Sequence, residues 1–189
     1  MNKKILLFIS LILVVLSLFA CNNKENEQLL SDLPEMVREG RELLSYVYGD
    51  GLPYDKDGDE PYRKGYVAVN EDSEIKSIAD FEEKIDELFT ESSTIVFART
   101  AFVRTISDEV SHLPRYIEDE NGILYIKKEN EVNILKREPD YESFKIVDSN
   151  KFMAEVEVTM IYEDGSKETD TFILRKEDNK WKFDSAAIL

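Results

Sequence analysis

Two hydrophobic patterns divide the chain into a helical first part and a β-rich second part. From Leu33 to Val47, apolar residues recur three or four positions apart, which predicts an amphipathic helix that Gly49 ends. From Pro114 onward, apolar and polar residues alternate, as they do in half-buried strands. This order predicts an α+β fold in which N-terminal helices pack on a curved antiparallel C-terminal sheet.

The helical part contains further start signals. Ser31 or Asp32 as the N-cap of the first helix would place Pro34 in an early turn, where its missing N–H costs little. A second helix is predicted from Ser77, because residues 77–80 have the form of a capping box. Residues 92–112 are predicted as a third helix with a break near Ser107.

The β-rich part has clear turn signals between its strands. Glu120, Asn121 and Gly122 predict a hairpin turn, and Asp164 with Gly165 predicts another turn after a long alternating strand. We therefore expect a meander of antiparallel strands. The predicted strands are 116–117, 123–126, 132–135, 144–147, 152–162, 169–175 and 181–183, and a shorter one at 65–69 precedes the second helix.

The first 21 residues have the layout of an export signal. Lys3 and Lys4 precede an apolar run from Ile5 to Ala20, which is short for a bilayer span. The tetrapeptide 18–21 (Leu-Phe-Ala-Cys) resembles the bacterial lipobox, which implies that the Cys21 thiol accepts lipid and that the chain is cleaved before it. The alternatives are a plain secretion signal and an uncleaved membrane anchor.

The lipobox reading gives the domain organisation and the location. We expect a signal peptide at residues 1–20, a lipidated Cys21 with a polar tether at 21–28, and a single α+β domain at 29–189. Several acyl chains on one residue anchor a protein stably. The predicted location is therefore the outer, extracytoplasmic face of the cell membrane.

Charge and rare residues exclude several classes of function. Forty acidic and 24 basic residues give a net charge of -16, which becomes -18 once residues 1–20 and their two lysines are removed. Such a chain is a poor ligand for nucleic acid, whose phosphates bind clustered Lys and Arg. One cysteine and one histidine form neither an internal disulfide nor a Cys/His zinc site. No cofactor is expected.

No residue set predicts catalysis. The lone His112 has no motif for a nucleophile beside it, and the only thiol is assigned to lipid. Glu155 and Glu157 could be paired carboxylates, but they lie on the polar face of a predicted strand, where solvated side chains are usual. We expect a protein without enzymatic activity.

Residues 49–65 form an acidic and aromatic loop. It is long for a compact domain, and such loops are often functional. Tyrosines supply stiff contact area and acids attract basic partners, so we interpret the loop as a surface for a basic envelope protein. The alternative is that its tyrosines pack on the sheet edge. The candidate contact residues are Tyr54, Asp55, Asp57, Asp59, Glu60 and Tyr62.

The acids of this loop also suggest a calcium site. Counted from Asp55, however, Tyr66 stands where an EF-hand has its final glutamate. Two interpretations stay open: a weak calcium site with oxygen ligands, and a solvated turn that binds no metal.

The order of these segments resembles that of bacterial inhibitors of cell-wall DL-endopeptidases (IseA-type). The similar segments span about residues 29 to 184 and are 51–56, 65–69, 75–81, 87–90, 114–117, 121–125 and 181–183. The resemblance implies a non-enzymatic exported protein that binds papain-like peptidoglycan hydrolases and blocks the substrate cleft. It assigns no inhibitory residue in this chain.

A second resemblance leads to a different function. Helices followed by long strands that end in Trp181-Lys182-Phe183 are also similar to nuclear-transport-factor-two-like lipoproteins, whose cone-shaped sheet holds a small ligand or peptide. A deep apolar pocket between helices and sheet would favour this ligand-binding reading. A filled core with a protruding acidic and aromatic loop would favour the inhibitor.

Overall fold

The computed structural model describes residues 3–60, 62–102, 105–106, 111–128 and 136–185, and for residues 3–23, 105–106 and 111–112 it describes the backbone alone. It confirms the α+β class, with helices that precede all but one of the described strands in the chain. In chain order the elements are α1 (Lys3–Tyr48), β1 (Tyr66–Ala68), α2 (Ile78–Leu88), α3 (Glu91–Phe102), β2 (Thr105–Ile106), β3 (Ser111–His112), β4 (Tyr116–Glu118), β5 (Leu124–Lys127), β6 (Arg137–Pro139), β7 (Lys145–Ser149), β8 (Met153–Tyr162), β9 (Lys167–Glu177) and β10 (Lys180–Phe183).

Helix α1 begins earlier than the sequence predicts. It runs without a break from Lys3 to Tyr48, so Pro34 lies inside it and the predicted N-cap at Ser31 or Asp32 is wrong. A proline in a helix interior costs about 3 kcal/mol. That cost is offset because Leu29, upstream of Pro34, is 2% exposed in the core. The residues predicted as a tether, 21–28, are helical as well.

The capping box of α2 is confirmed, and the third helix is shorter than predicted. The Ser77 hydroxyl accepts from the Asp80 N–H, and the Asp80 carboxylate accepts from the Ser77 N–H. Helix α3 ends at Phe102, and β2 (Thr105–Ile106) pairs antiparallel with β3 (Ser111–His112). The predicted helix is therefore wrong at residues 105–106 and 111–112, which are strands, and β-branched residues such as Thr105 and Ile106 favour strands.

A five-stranded antiparallel sheet, strongly curled into a half-barrel, forms the second half of the fold. We call it the curved sheet. Its strands β10, β9 and β8 form the predicted meander, and both β6 and β7 pair with the other edge of β8. The turns at Gly165 and Gly122 have positive φ, as their predicted turns require. The strand predicted at 132–135 lies outside the described residues.

A separate three-stranded antiparallel sheet, in the order β1-β5-β4, lies at the C-terminal end of α1. We call it the small sheet. The predicted hairpin of β4 and β5 belongs to this sheet and not to the curved one. One hydrophobic core joins both sheets to the three helices. Tyr116 of the small sheet, Phe81 of α2 and Phe102 of α3 are among its packed aromatic rings.

Candidate partner-binding surface

The acidic and aromatic loop, residues 49–65, is fastened at its start by two buried side chains of the small sheet. The Gly49 carbonyl accepts a hydrogen bond from the Arg115 guanidinium. The Tyr116 hydroxyl accepts from the Leu52 N–H at 3.0 Å and donates to the Tyr46 carbonyl at 2.7 Å. Burial raises the pKa of Tyr116, so this hydroxyl stays protonated and keeps both bonds.

Gly51 is required where the chain leaves α1. Its φ is +87°, and a Cβ at this position would lie 2.4 Å from Ile126 Cδ1 and 2.7 Å from Arg115 Nη2. Only glycine tolerates both this conformation and this close approach. The loop therefore passes tightly over the small sheet at a defined point.

The middle of the loop pairs with the chain that follows β1. Tyr54 forms an isolated antiparallel bridge with Val69, and its hydroxyl donates to the Lys128 carbonyl at 3.2 Å. The Asn70 N–H donates to the Pro53 carbonyl at 2.9 Å. Tyr54 is half-buried and packs against the core, so it anchors the loop, as the sheet-edge alternative expected.

The acidic turn that follows is held by its own backbone. The Gly58 N–H donates to the Asp55 carbonyl at 3.0 Å, and the Asp57 N–H donates to Asp55 Oδ1 at 3.0 Å. This is an Asx-type turn, in which a short acidic side chain substitutes for a backbone acceptor. The side chains of Asp55, Asp57 and Asp59 are exposed. The turn thus holds three carboxylates toward solvent.

Lys128, just after β5, ties the end of this turn to the small sheet. Its Nζ donates to the Gly58 carbonyl at 3.1 Å and lies 3.4 Å from Glu60 Oε1. The other oxygen of Glu60 accepts from the Gly65 N–H at 2.8 Å. The Gly65 N–H, together with the Lys128 ammonium, holds the pKa of Glu60 below its usual value of 4.5.

Tyr62 adds an exposed aromatic ring to the acidic turn. The ring is stacked on Tyr125 of β5, with centroids 5.2 Å apart and planes 25° apart, and Tyr62 is 51% exposed. The Tyr125 hydroxyl donates to Asp119 Oδ2 at 3.3 Å. Hydrogen bonds from the N–H groups of Ile123 and Asn121 lower the pKa of Asp119, which keeps its carboxylate ionised beside the two rings.

The six predicted contact residues thus lie on one loop segment, five of them exposed and Tyr54 half-buried. The sequence reasoning missed the residues that fix the loop. The sequence pattern gives these residues a place in a strand or no role at all. They are Arg115, Tyr116, Tyr125 and Lys128. The first two and Lys128 contact loop residues that lie more than 60 positions away in the chain. No local signal marks such contacts.

The other candidate residues named from the sequence lie outside the loop. The side chains of Cys21 and His112 lie outside the described residues. Glu155 and Glu157 are half-exposed on the outer face of β8, and Lys145 lies 3.8 Å from Glu157. Within the described ranges, no group of three or more His, Cys, Asp or Glu side chains is arranged to hold a metal ion.

A surface cleft lies between α1 and the β9–β10 hairpin, away from the loop. It has a volume of about 360 Å³. Its walls include Leu29, Met36, Lys176, Lys180 and Trp181. By contrast, the inner face of the curved sheet is filled by buried side chains, namely Ala154, Val156, Val158, Met160, Phe172, Leu174 and Phe183.

No model of a known protein family and no curated protein matches the chain. Among the residues whose side chains the structure describes, no helix has a stretch long and apolar enough to cross a membrane. The apolar run from Ile5 to Ala20 lies outside that set.

Proposed function

We propose that this protein is a lipoprotein, held by lipidated Cys21 on the outer face of the cell membrane, that binds and inhibits a peptidoglycan DL-endopeptidase. The observation that carries the proposal is the acidic and aromatic loop, whose exposed carboxylates stand on a fixed backbone. A loop fixed before binding loses little conformational entropy when it meets its partner.

The charges of the loop favour a basic partner. Asp55, Asp57 and Asp59 are exposed together, and the whole chain carries a net charge of -16. Acidic surfaces accelerate association with cationic proteins, and salt weakens this effect. Tyr62 supplies the large, stiff side chain that binding hot spots commonly contain.

The position of the loop suits a partner beyond the membrane surface. At about 1.5 Å of rise per residue, Tyr48 lies about 35 Å from Glu25 along α1. The loop begins directly after Tyr48, at the opposite end of the domain from Cys21. An anchored protein would thus present the loop toward the cell wall, where hydrolases act.

The alternative is a nuclear-transport-factor-two-like lipoprotein that holds a small ligand or peptide in a pocket enclosed by the sheet. The filled inner face of the curved sheet gives this alternative less support than the loop gives the inhibitor. The cleft beside Trp181 lies between α1 and the β9–β10 hairpin.

An inhibition assay tests the proposal. The full chain in detergent micelles is mixed with the catalytic domains of DL-endopeptidases from the same organism, and muropeptide cleavage is followed. We expect slower cleavage with the unaltered chain, and weaker, less salt-sensitive inhibition with Asp57→Asn/Asp59→Asn. The matched control is Glu82→Gln/Glu83→Gln, which removes two exposed charges from α2 instead.

Two results would contradict the proposal. One is the absence of both inhibition and binding at micromolar concentration across the set of endopeptidases. The other is equal inhibition by the loop variant and the unaltered chain, which would move the binding surface elsewhere.

A further inference from the structure

Three chain segments meet at the end of the domain where α1 emerges from the apolar leader. Asn26 of α1 donates to Ser149 Oγ at the end of β7, at 2.9 Å. Glu25 forms an ion pair with Lys176 of β9. The Lys176 N–H in turn donates to the Phe152 carbonyl at 2.8 Å. The β7–β8 turn and the β9–β10 hairpin are therefore fixed against the first described side chains of α1.

The side chains at this end combine one exposed and one half-buried aromatic ring with lysines. Phe152 is 61% exposed, the largest exposure among the large hydrophobic side chains described, and the Lys151 ammonium lies 4.5 Å from its ring centre. Trp181 is half-buried beside the cleft, with the Lys176 ammonium 5.4 Å from its ring. Lys180 is exposed and lines the same cleft.

This composition is that of a membrane–water interface. Trp and other aromatic rings lie at the level of the lipid headgroups, and lysines extend their ammonium groups to phosphates there. Glu25 is neutralised by its pair with Lys176, whereas Glu27 and Asp178 at this end are exposed acids. Besides Lys176, the lysines adjacent to the two rings in the chain are Lys151 and Lys180, so an ammonium group accompanies each ring.

The rise of α1 between Cys21 and Glu25 sets the distance of this surface from the membrane. Cys21 precedes Glu25 by four residues of continuous helix, a rise of about 6 Å. Whether Cys21 carries lipid or Ile5–Ala20 stays in the bilayer as an anchor, the helix leaves the membrane close to residue 21. The segments fixed to residues 25 and 26 then lie at the level of the headgroups.

We propose that the β7–β8 turn with Phe152 and the β9–β10 hairpin with Trp181 dock on the phospholipid surface and hold the domain upright on the membrane. This inference rests on the membrane attachment in the proposed function, but not on the identity of the partner. A docked base keeps the acidic and aromatic loop at the far end of α1 facing the wall.

Trp181 is the only tryptophan of the chain, so its fluorescence reports on this surface directly. The full chain is reconstituted into phosphatidylglycerol-containing vesicles, with or without lipids brominated near the headgroup. Vesicle flotation first identifies the membrane-bound fraction. The matched control is Ile123→Trp in a Trp181→Phe background, which moves the probe to an exposed position in the β4–β5 turn.

We expect brominated lipid to quench Trp181 several-fold more than the probe at position 123. We also expect Phe152→Ser to reduce the quenching of Trp181 without loss of flotation, because Phe152 is exposed and contributes little to the core. Circular dichroism of each variant checks that the fold is kept.

Equal quenching of the two probes in chains that float would overturn the proposed docking, and so would the absence of quenching at Trp181. Membrane attachment would stand in both cases. A second copy of the chain on this surface would give that unquenched result. Chains that do not float would overturn both docking and membrane attachment. The inhibition assay in detergent is independent of either result.

Discussion

The curved sheet and the small sheet share one hydrophobic core, and the small sheet adds buried polar contacts to the loop. In the curved sheet, β8 and β9 pair over nine successive residues, and the inward side chains of β8 are all apolar from Ala154 to Met160. In the small sheet the strands have three or four residues, and the buried side chains of Arg115 and Tyr116 bond backbone groups of the loop. The curved sheet is a scaffold made by hydrophobic burial. The small sheet shares the same core through Val67, Leu124 and Ile126, and a few polar contacts at its β4 end position the loop.

The largest expected effect comes from the core of the curved sheet. Phe172 of β9 is 2% exposed and lies between Phe144 and Phe183. Phe172→Ala should lower the free energy of unfolding by about 3–5 kcal/mol, because burial is lost and a cavity is left. Denaturant unfolding measures this. The neighbouring Thr171→Ala, on the exposed face, should change the free energy by less than about 0.5 kcal/mol. Similar losses for both variants would contradict this account of the curved sheet.

A smaller but more local effect is expected in the small sheet. Tyr116→Phe removes the hydroxyl that joins Leu52 to Tyr46, and it leaves a buried N–H and a half-buried carbonyl without this partner. The cost should be about 1–3 kcal/mol. Faster hydrogen exchange at the Leu52 amide, with the curved sheet unchanged, would show that the loop has been released.

Tyr162→Phe is the matched control for that variant. The Tyr162 hydroxyl donates to Glu168 at 2.6 Å on an exposed part of the curved sheet. Its loss should leave exchange at Leu52 unaffected. If Tyr116→Phe also left that amide protected, the polar anchor would be unnecessary and the contrast between the two sheets would fail.

The same contrast between the two sheets explains which parts of the fold could be predicted from the sequence. Alternation over residues 152–162 marks β8 and its buried face directly, because each apolar side chain faces the core at a period of two. Ser77 and Asp80 mark the start of α2, since a capping box is local in sequence. The fold class was thereby predictable from local patterns.

The arrangement of the small sheet was not predictable in this way. Arg115 and Tyr116 contact the loop across 64 to 66 positions, and no periodicity encodes such a pairing. Pro34 misled the prediction of where α1 starts, because the burial of Leu29 outweighs the local preference against an interior proline. The six candidate contact residues could be named from composition, but not the side chains that hold them.

The loop beside the small sheet presents the exposed ring of Tyr62 to a partner. Tyr62→Ala should leave global stability nearly unchanged, because the ring is about half exposed, and should weaken partner binding by more than about 1 kcal/mol. Calorimetric titration with an inhibited endopeptidase measures the affinity. Ile95→Ala on α3, 56% exposed, is the matched control and should bind normally. Equal affinity for both variants would remove Tyr62 from the binding surface.

The smallest expected effect concerns the charge of Glu60. Its lowered pKa means that its ionised form stabilises the folded loop above its unfolded pKa, and that this contribution is lost as the pH falls through the folded value, below 4.5. Lys128→Met should raise the pKa of Glu60 toward its ordinary value, although the Gly65 N–H keeps part of the shift. NMR titration of the Glu60 carboxyl measures this, with Lys136→Met as the control. An unchanged pKa would mean that Lys128 does not hold the turn.

The central claim is that the loop end of the domain binds a partner while the opposite end carries no part of that contact. Hydrogen exchange of the full chain, alone and in complex with an endopeptidase catalytic domain, tests this directly. We expect added protection at residues 52–66 and 119–125, with little change at 149–152 and 176–181. Protection confined to the cleft between α1 and the β9–β10 hairpin, or no change in any segment, would contradict it.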